Sequence, residues 1–518
     1  MAHSSRWFRF SLLPVVLVSL LLLSVSAIGI AAVGDRPILT PPPPPQPRIN
    51  GPRIFGVRPG APFLYKIPAS GDRPLAFFVE GLPQGLTLDS KTGMISGTLR
   101  KRGEYAVMLH ARNARGDAKR RFRIVVGDRI ALTPPMGWSS WYMSYTAISD
   151  RMIRSQAEAM VRSGLADHGY SYVNIDDGWN VKLNSDDPQL GGATRDDRGN
   201  LKSNRNFPDM KGMCDHVHGL GLKIGIYISP GPDTCAGFAG SYKHEEQDAR
   251  QFADWGFDFL KYDWCGYRSI ARDKSRPELQ KPYLVMRKAL DKVGRDLVYN
   301  LCQYGMGEVW EWGREIGGNY WRTTDDLGVQ NRTLWENMSE IGFSQAGKET
   351  YAGPGGWNDP DNILIGHILW QNKLMPSPLT QDEQYTYVSL WSILAAPLIF
   401  GGDMTRLDEF TLSLLTNDEV IDVNQDALGR QGVPVSRVAG LEVWVKDLEG
   451  GSKAVGLFNR SETESTVSVR WVDLKINGKH RVRDLWRQKD LGSYDVQFSA
   501  LVPKHGVILL RLFSHAGP

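Results

Sequence analysis

Cysteine is scarce in this 518-residue chain: Cys214, Cys235, Cys265 and Cys302 are the only four, and no C-x-x-C pair occurs. That excludes a disulfide-stapled scaffold and argues against a zinc ribbon or a thioredoxin-type redox site. A phosphate-binding G-x-x-x-x-G-K-[ST] loop is missing, as is a strand-linked G-x-G-x-x-G unit, so nucleotide chemistry is not expected. An excess of one charge is missing too, with 61 basic against 57 acidic residues. At 42% hydrophobic and 23% charged residues the composition excludes a wholly disordered chain, and the length suits two to four domains.

The near-neutrality is an average. Residues 1–50 carry 4 basic and 1 acidic residue, 51–128 carry 14 and 6, and 129–518 carry 43 and 50. The acidic large part argues against a nucleic-acid partner. The basic small part reads as a solvated face or as a contact with an envelope surface. Arg6 and Arg9 precede an uncharged run from Ser11 to Val33, which reads as a secretory signal or, uncleaved, as an N-terminal membrane anchor over residues 1–33. Export then places the protein in the periplasm, outside the cell or anchored in the envelope of a bacterium. Residues 34–50 contain Pro41–Pro45 and are expected to form a stiff polyproline spacer.

Residues 51–128 carry short alternating runs (63–67, 75–79, 105–111 and 121–126) separated by Ser70-Gly71, Gly85 and Gly93. This predicts a β-sandwich. The strings Gly81-Leu-Pro-Gln-Gly-Leu-Thr-Leu-Asp and Thr92-Gly-Met-Ile-Ser-Gly-Thr resemble those of a bacterial Ig-like domain.

From residue 129 apolar strand-like runs alternate with helix-compatible stretches, among them 149–163 and 244–255. Eight such units over residues 129–432 predict a (β/α)8 barrel, a fold that places its chemistry at the C-terminal ends of its strands. Four of the runs end in carboxylates: Asp176-Asp177, Asp263, Asp325-Asp326 and Asp359-Pro-Asp361, most of them beside Trp. One such Asp is usually a turn former or helix cap. Four acidic ends on separate strands predict a shared acidic pocket. Glycoside hydrolysis needs two carboxyl groups flanking the scissile bond, with Trp available to stack on the sugar. Barrel metal sites usually draw on several histidines, and none of the ten His lies on these strand ends, so neither metal nor cofactor is expected.

Residues 132–432 resemble glycoside hydrolase family 27, the α-galactosidase (melibiase) family. The strings that carry the resemblance are Pro134-Pro-Met-Gly-Trp-Ser-Ser-Trp, Asn174-Ile-Asp-Asp-Gly-Trp, Thr234-Cys-Ala-Gly-Phe, Lys261-Tyr-Asp, Trp321-Arg-Thr-Thr, Gly355-Gly-Trp-Asn-Asp-Pro-Asp and Asn424-Gln-Asp-Ala-Leu-Gly. The resemblance implies a retaining exo-α-galactosidase acting on substrates with terminal galactose. Asp263 would be the nucleophile, kept ionised with help from Lys261 and Arg322. Asp326 would be the acid/base, chosen over Asp325 by its spacing from Arg322. The other implied substrate-binding residues are Trp141, Asp176, Asp177, Tyr227, Lys261, Gln303, Arg322 and Asp359, with the Asp176-Asp177 pair taking the 4- and 6-hydroxyls. It also implies a Cys235–Cys265 disulfide.

One departure bears on specificity. Relatives carry Glu-Trp after the cysteine of the fifth strand, and that Glu helps set the preference at the sugar 2-position; here Gln303-Tyr304 follow Cys302. α-N-Acetylgalactosaminidase and β-L-arabinopyranosidase activities on the same fold are therefore the rivals, with an inactive carbohydrate-binding relative as the non-enzymatic one. Residues 433–518 alternate again and resemble the family's C-terminal antiparallel β domain.

Overall fold

The computed structural model describes residues 37–328 and 332–514. The segment read as a leader or anchor, residues 1–33, lies outside the described residues. Eight parallel strands follow one another: β1 (Met136–Ser139), β2 (Tyr172–Asn174), β3 (Lys223–Ile228), β4 (Phe259–Asp263), β5 (Val298–Cys302), β6 (Tyr320–Arg322), β7 (Trp357–Asp359) and β8 (Leu398–Phe400). They pair in the order β7-β6-β5-β4-β3-β2-β1-β8. The gap between β7 and β8 is closed by Ile363, whose N–H donates to Ile399 O at 2.7 Å and whose carbonyl accepts from Gly401 N at 3.0 Å.

Side chains alternate along each strand. On β4, Leu260 and Tyr262 join the apolar layer under the helices, and Phe259 joins Val298, Tyr320 and Trp357 in a separate apolar cluster inside the barrel. Lys261 and Asp263, on the same inward face as Phe259, line the pocket. The helices return the chain for local reasons. Ser149 caps helix Asp150–Arg162 by accepting from Met152 N. Thr333 with Glu336 and Thr380 with Glu383 form capping boxes at the starts of helices Leu334–Phe343 and Gln381–Ile393.

The tryptophans at the strand ends serve the frame more than the pocket. Trp138 Nε1 donates to Gly402 O at 2.7 Å, joining β1 to the segment after β8. Trp179 donates to Tyr227 O at 2.7 Å and Trp321 to Asn358 Oδ1 at 2.8 Å, joining β2 to β3 and β6 to β7. All three are fully buried, as is Trp357, and among the described residues Trp141 is the one tryptophan in the pocket lining. The expected ring stacking therefore narrows from a group of tryptophans to one.

The N-terminal module is a β-sandwich with one sheet of strands 54–57, 116–126, 103–113 and 76–80, and another of 62–66, 94–98 and 86–88. Strand Arg48–Ile49 pairs with Ala69–Ser70, ahead of residue 51. The expected proline spacer is instead a strap. Ile38 O accepts from Tyr385 at 2.5 Å, Thr40 Oγ1 donates to Ser413 O at 2.7 Å, and Pro45 O accepts from Asn113 at 2.8 Å. It runs from the barrel to the module, held by two of its carbonyls and by the Thr40 hydroxyl. The module's positive charge meets the acidic part of the same chain: Arg58 pairs with Asp296 at 2.5 Å, Arg73 with Asp167 at 2.5 Å, Arg120 with Asp422 at 3.3 Å and Arg123 with Glu449 at 3.1 Å. An intramolecular interface thus takes up part of the basic excess.

The C-terminal domain has a six-stranded antiparallel sheet (433–438, 441–447, 453–459, 507–514, 480–484 and 489–494) and a two-stranded one (465–470 and 497–502).

Candidate active site

The pocket opens at the C-terminal ends of the strands. Six carboxylates line it, Asp176, Asp177, Asp263, Asp326, Asp359 and Asp361, against two cations, Lys261 and Arg322. Trp141, Tyr227, Tyr304, Asn300 and the Cys235–Cys265 pair complete its walls. A more apolar recess lies between the module and the N-terminal ends of the barrel strands, lined by Phe55, Leu64 and Met136; it gathers no comparable set of carboxylates.

Asp263 ends β4 and is 2% exposed. Its Oδ1 accepts from Tyr304 Oη at 2.6 Å and from Trp264 N at 2.7 Å. Burial raises its pKa above the ordinary carboxylate value; the Lys261 charge and the Tyr304 bond oppose that rise, and Asp326 adds to it. Lys261, two residues back on the same face, donates to Asp176 Oδ2 at 2.8 Å. Burial works against its charge, but Asp176 and Asp263 outweigh burial and lift the ammonium well above its usual range. The Lys261 charge thus lies where it favours the ionised form of Asp263. Arg322 is engaged elsewhere: it donates to Asp326 Oδ1 at 2.9 Å and to Asp325 O at 2.8 Å, and it lies 3.3 Å from Asp361.

The side chain of Asp326 is 43% exposed, so it meets both Arg322 and solvent. Asp325 is exposed and outside the pocket lining. Asp361 has φ +102° and is fully engaged, accepting from Tyr142 Oη and Leu327 N at 2.9 Å each and from Asn362 N at 2.7 Å. It ties the loop that carries Asp326 to β7. Tyr142 and Tyr304 are not among the sequence-predicted binding residues, and Asp361 is predicted in the acidic pocket without a binding role.

Asp176 and Asp177 share a wall. Asp177 Oδ1 accepts from Thr234 Oγ1 at 2.8 Å and its Oδ2 from Ala236 N at 2.9 Å. Each carboxylate oxygen can accept further bonds. Burial pushes Asp177 up to about 7; its two hydrogen bonds oppose the shift, and Asp176 and Asp263 add to it. Burial pushes Asp359 up to about 6, with Arg322 opposing and Asp361 adding.

The Asp177 shift carries a stability prediction with a definite sign. A carboxyl whose folded pKa lies above its unfolded value weakens the fold once it must ionise. The penalty is absent below the ordinary carboxylate range, grows as pH rises from 3.8 to about 7, and is complete above that. Asp177→Asn should therefore raise the unfolding temperature at pH 8 and lose that gain by pH 4. Asn fits the seat, because its Oδ1 can take the Ala236 bond and its amide can donate to Thr234. Thermal scans at the two pH values check this; equal unfolding temperatures at pH 8 would contradict it.

Gln303 is the sequence-predicted binding residue that the structure does not bring to the pocket. It is fully buried, its amide lies 3.4 Å from Leu279 O, and its Oε1 has no hydrogen-bond partner among the described residues. The reason is strand parity. Asn300 lines the pocket from β5 and Cys302 shares its face by alternation, while Tyr299 and Leu301 belong to the layer under the helices. Position 303 continues that outward set, and Tyr304 takes the next inward place.

Cys235 and Cys265 form a disulfide with Cα atoms 4.9 Å apart, and Cys214 and Cys302 are free and buried. With Asp263, the two bridged sulfurs make up the one metal-compatible cluster among the described residues. As a disulfide they offer no thiolate, the form in which cysteine binds metal.

A buried carboxylate beside a solvent-open one, in a pocket rich in hydroxyl-binding groups, is the equipment for cleaving an acetal. The fold and the site together define a barrel glycoside hydrolase. The family model described as Alpha galactosidase A matches residues 133–426, and the chain belongs to that family. Its C-terminal β-sandwich model matches residues 438–512, and an Ig-domain model matches 46–127. Alpha-galactosidase 2 of Arabidopsis thaliana is 38% identical over 395 residues, covering 75% of this chain and 92% of the plant protein. The structure of an α-galactosidase-like protein from Bacteroides fragilis superposes with a TM-score of 0.83 at 35% identity, covering 90% of this chain and 98% of the other. That of a β-L-arabinopyranosidase from Geobacillus stearothermophilus gives a TM-score of 0.66 at 29% identity, covering 75% and 98%.

Proposed function

We propose that the protein hydrolyses α-galactosides, releasing terminal α-D-galactosyl residues with retention of configuration. The observation that carries this is the Asp176–Lys261 pair, 2.8 Å apart with Asp176 buried and Lys261 half-buried, in one pocket with Asp177 and Asp263. A galacto-configured sugar presents its axial 4-hydroxyl and its 6-hydroxyl on one side, where such a cluster can accept and donate. A gluco epimer leaves those buried groups unpaired, which lowers kcat/KM on the order of 10³-fold or more.

In the first step Asp263 attacks the anomeric carbon as Asp326 protonates the departing oxygen. In the second, Asp326 takes a proton from water, and the water oxygen displaces Asp263. The exposure difference supports this division, since the acid/base must exchange protons with solvent and the nucleophile must be shielded from it.

A panel of p-nitrophenyl glycosides tests the reading. Turnover should be highest on the α-D-galactoside, and the first product seen by proton NMR should be the α anomer. A higher kcat/KM on the β-L-arabinopyranoside would favour the activity that the Geobacillus relative is named for. A preference for the α-N-acetylgalactosaminide would place the specificity at the 2-position, and no turnover on any of them would sink the enzymatic reading. We also propose export, on the evidence of Arg6, Arg9 and the uncharged run that follows. Mature protein found only in the cytosol would contradict it.

A further inference from the structure

Tyr304 stands beside the reacting carboxylate. Its backbone is left-handed, at φ +59°. That conformation is uncommon for a bulky residue and persists only where the surroundings enforce it. The next residue shows how they do. Gly305 N donates to Arg322 O at 3.1 Å, and a Cβ at Gly305 would stand 2.3 Å from Thr323 O. The turn is thereby pressed onto the end of β6, and the tyrosine is turned over the end of β4. Its hydroxyl lies 2.6 Å from Asp263 Oδ1, 3.4 Å from Cys265 Sγ and 3.8 Å from Cys235 Sγ, so the disulfide backs it. Trp264 N donates to the same Oδ1. Among the described residues, Asp263 Oδ2 accepts no protein hydrogen bond.

We propose that Tyr304 is a positioning residue for the nucleophile: with Trp264 N it occupies Oδ1, so that Oδ2 is the oxygen that bonds to the sugar. The inference rests on Asp263 being the nucleophile. As the Oδ2–C1 bond forms, the C1–O bond to the leaving group breaks, and that oxygen takes the proton of Asp326. Oδ1 becomes the ester carbonyl and keeps the Tyr304 hydrogen bond. When water attacks C1, its proton passes to Asp326, the Oδ2–C1 bond breaks, and the electron pair returns to a carboxylate that Tyr304 already solvates. The phenol therefore favours the ionised form of Asp263 in the free enzyme and its departure in the second step. Burial keeps the phenol a donor, holding its own ionisation far above the working range.

Tyr304→Phe keeps the ring and removes the donor. Loss of a hydrogen bond to a charged group lowers kcat by about 10- to 100-fold. On an activated substrate, where the second step limits turnover, KM should fall together with kcat, because the glycosyl-enzyme accumulates. The acid limb of kcat/KM, which reports the group that must be ionised in the free enzyme, should move to higher pH. The loss should persist on a dinitrophenyl galactoside, whose leaving group needs no proton. Fluorotyrosine at 304, a stronger donor of nearly the same shape, should move the limb to lower pH, and it keeps the test readable if the Phe variant fails to fold. An acid limb unmoved in both variants, or a loss confined to KM, would overturn the role of Tyr304. If the parent enzyme turns over galactosides without using Asp263, both readings fall; if it uses Asp263 and the limb stays put, only this one does.

Discussion

Asp263→Asn removes turnover, with kcat falling on the order of 10⁴-fold or more, in the range seen when an enzyme loses its nucleophile. The substitution keeps the shape and the two hydrogen bonds to Oδ1, from Tyr304 and Trp264. What it removes is the anionic lone pair on the other oxygen. The pocket should still form and still bind galactose, so the parent and the variant should show similar dissociation constants for the sugar while differing in rate. Thermal stability should hold or rise, because a carboxylate that burial disfavours is replaced by a neutral amide. A variant retaining a tenth of the parent activity would remove Asp263 from the nucleophile's role.

Asp326→Ala gives a loss that depends on the leaving group. Substrates whose leaving oxygen needs a proton should slow by about 10²- to 10⁴-fold, the usual contribution of general acid–base catalysis. A dinitrophenyl galactoside should pass the first step almost unimpaired and stall as the glycosyl-enzyme, because water then lacks its base. Azide needs no base and should restore turnover, giving a galactosyl azide. The site's geometry makes room for this, since Asp326 is 43% exposed and is held on one side by Arg322. Asp325→Ala is the matched control: that residue is exposed and outside the pocket, so its rate should stay within about twofold, as for a surface substitution away from such features. The reverse outcome, with Asp325 essential and Asp326 dispensable, would reassign the acid/base.

Much of this arrangement was legible in the sequence because strand alternation and acidic strand ends are local signals. Lys261 and Asp263 share a face by their spacing of two, and so do Tyr320 and Arg322. The Gln303 assignment went wrong where a resemblance at one position overrode that alternation: counting inward from Asn300 through Cys302 leads to Tyr304. The tryptophans misled for another reason. A residue at a strand end is as well placed to bond the neighbouring strand as to face the pocket, and only the tertiary register shows that Trp138, Trp179 and Trp321 do the former. The strap at residues 37–45 and the pairing of the basic module with the acidic remainder are long-range facts. Composition gave both charges, but only the fold puts Arg58 against Asp296 and Arg120 against Asp422.

The central claim is that Asp263 bonds covalently to a galacto-configured sugar during each turnover. Incubation with a fluorinated galactosyl fluoride that slows the second step, followed by peptide mass spectrometry, tests it directly. The account predicts time-dependent inactivation, protection by galactose, and one added fluorogalactosyl group on the peptide containing Lys261-Tyr262-Asp263, carried by Asp263. Label on another carboxylate, or turnover with inversion and no label at all, would contradict it.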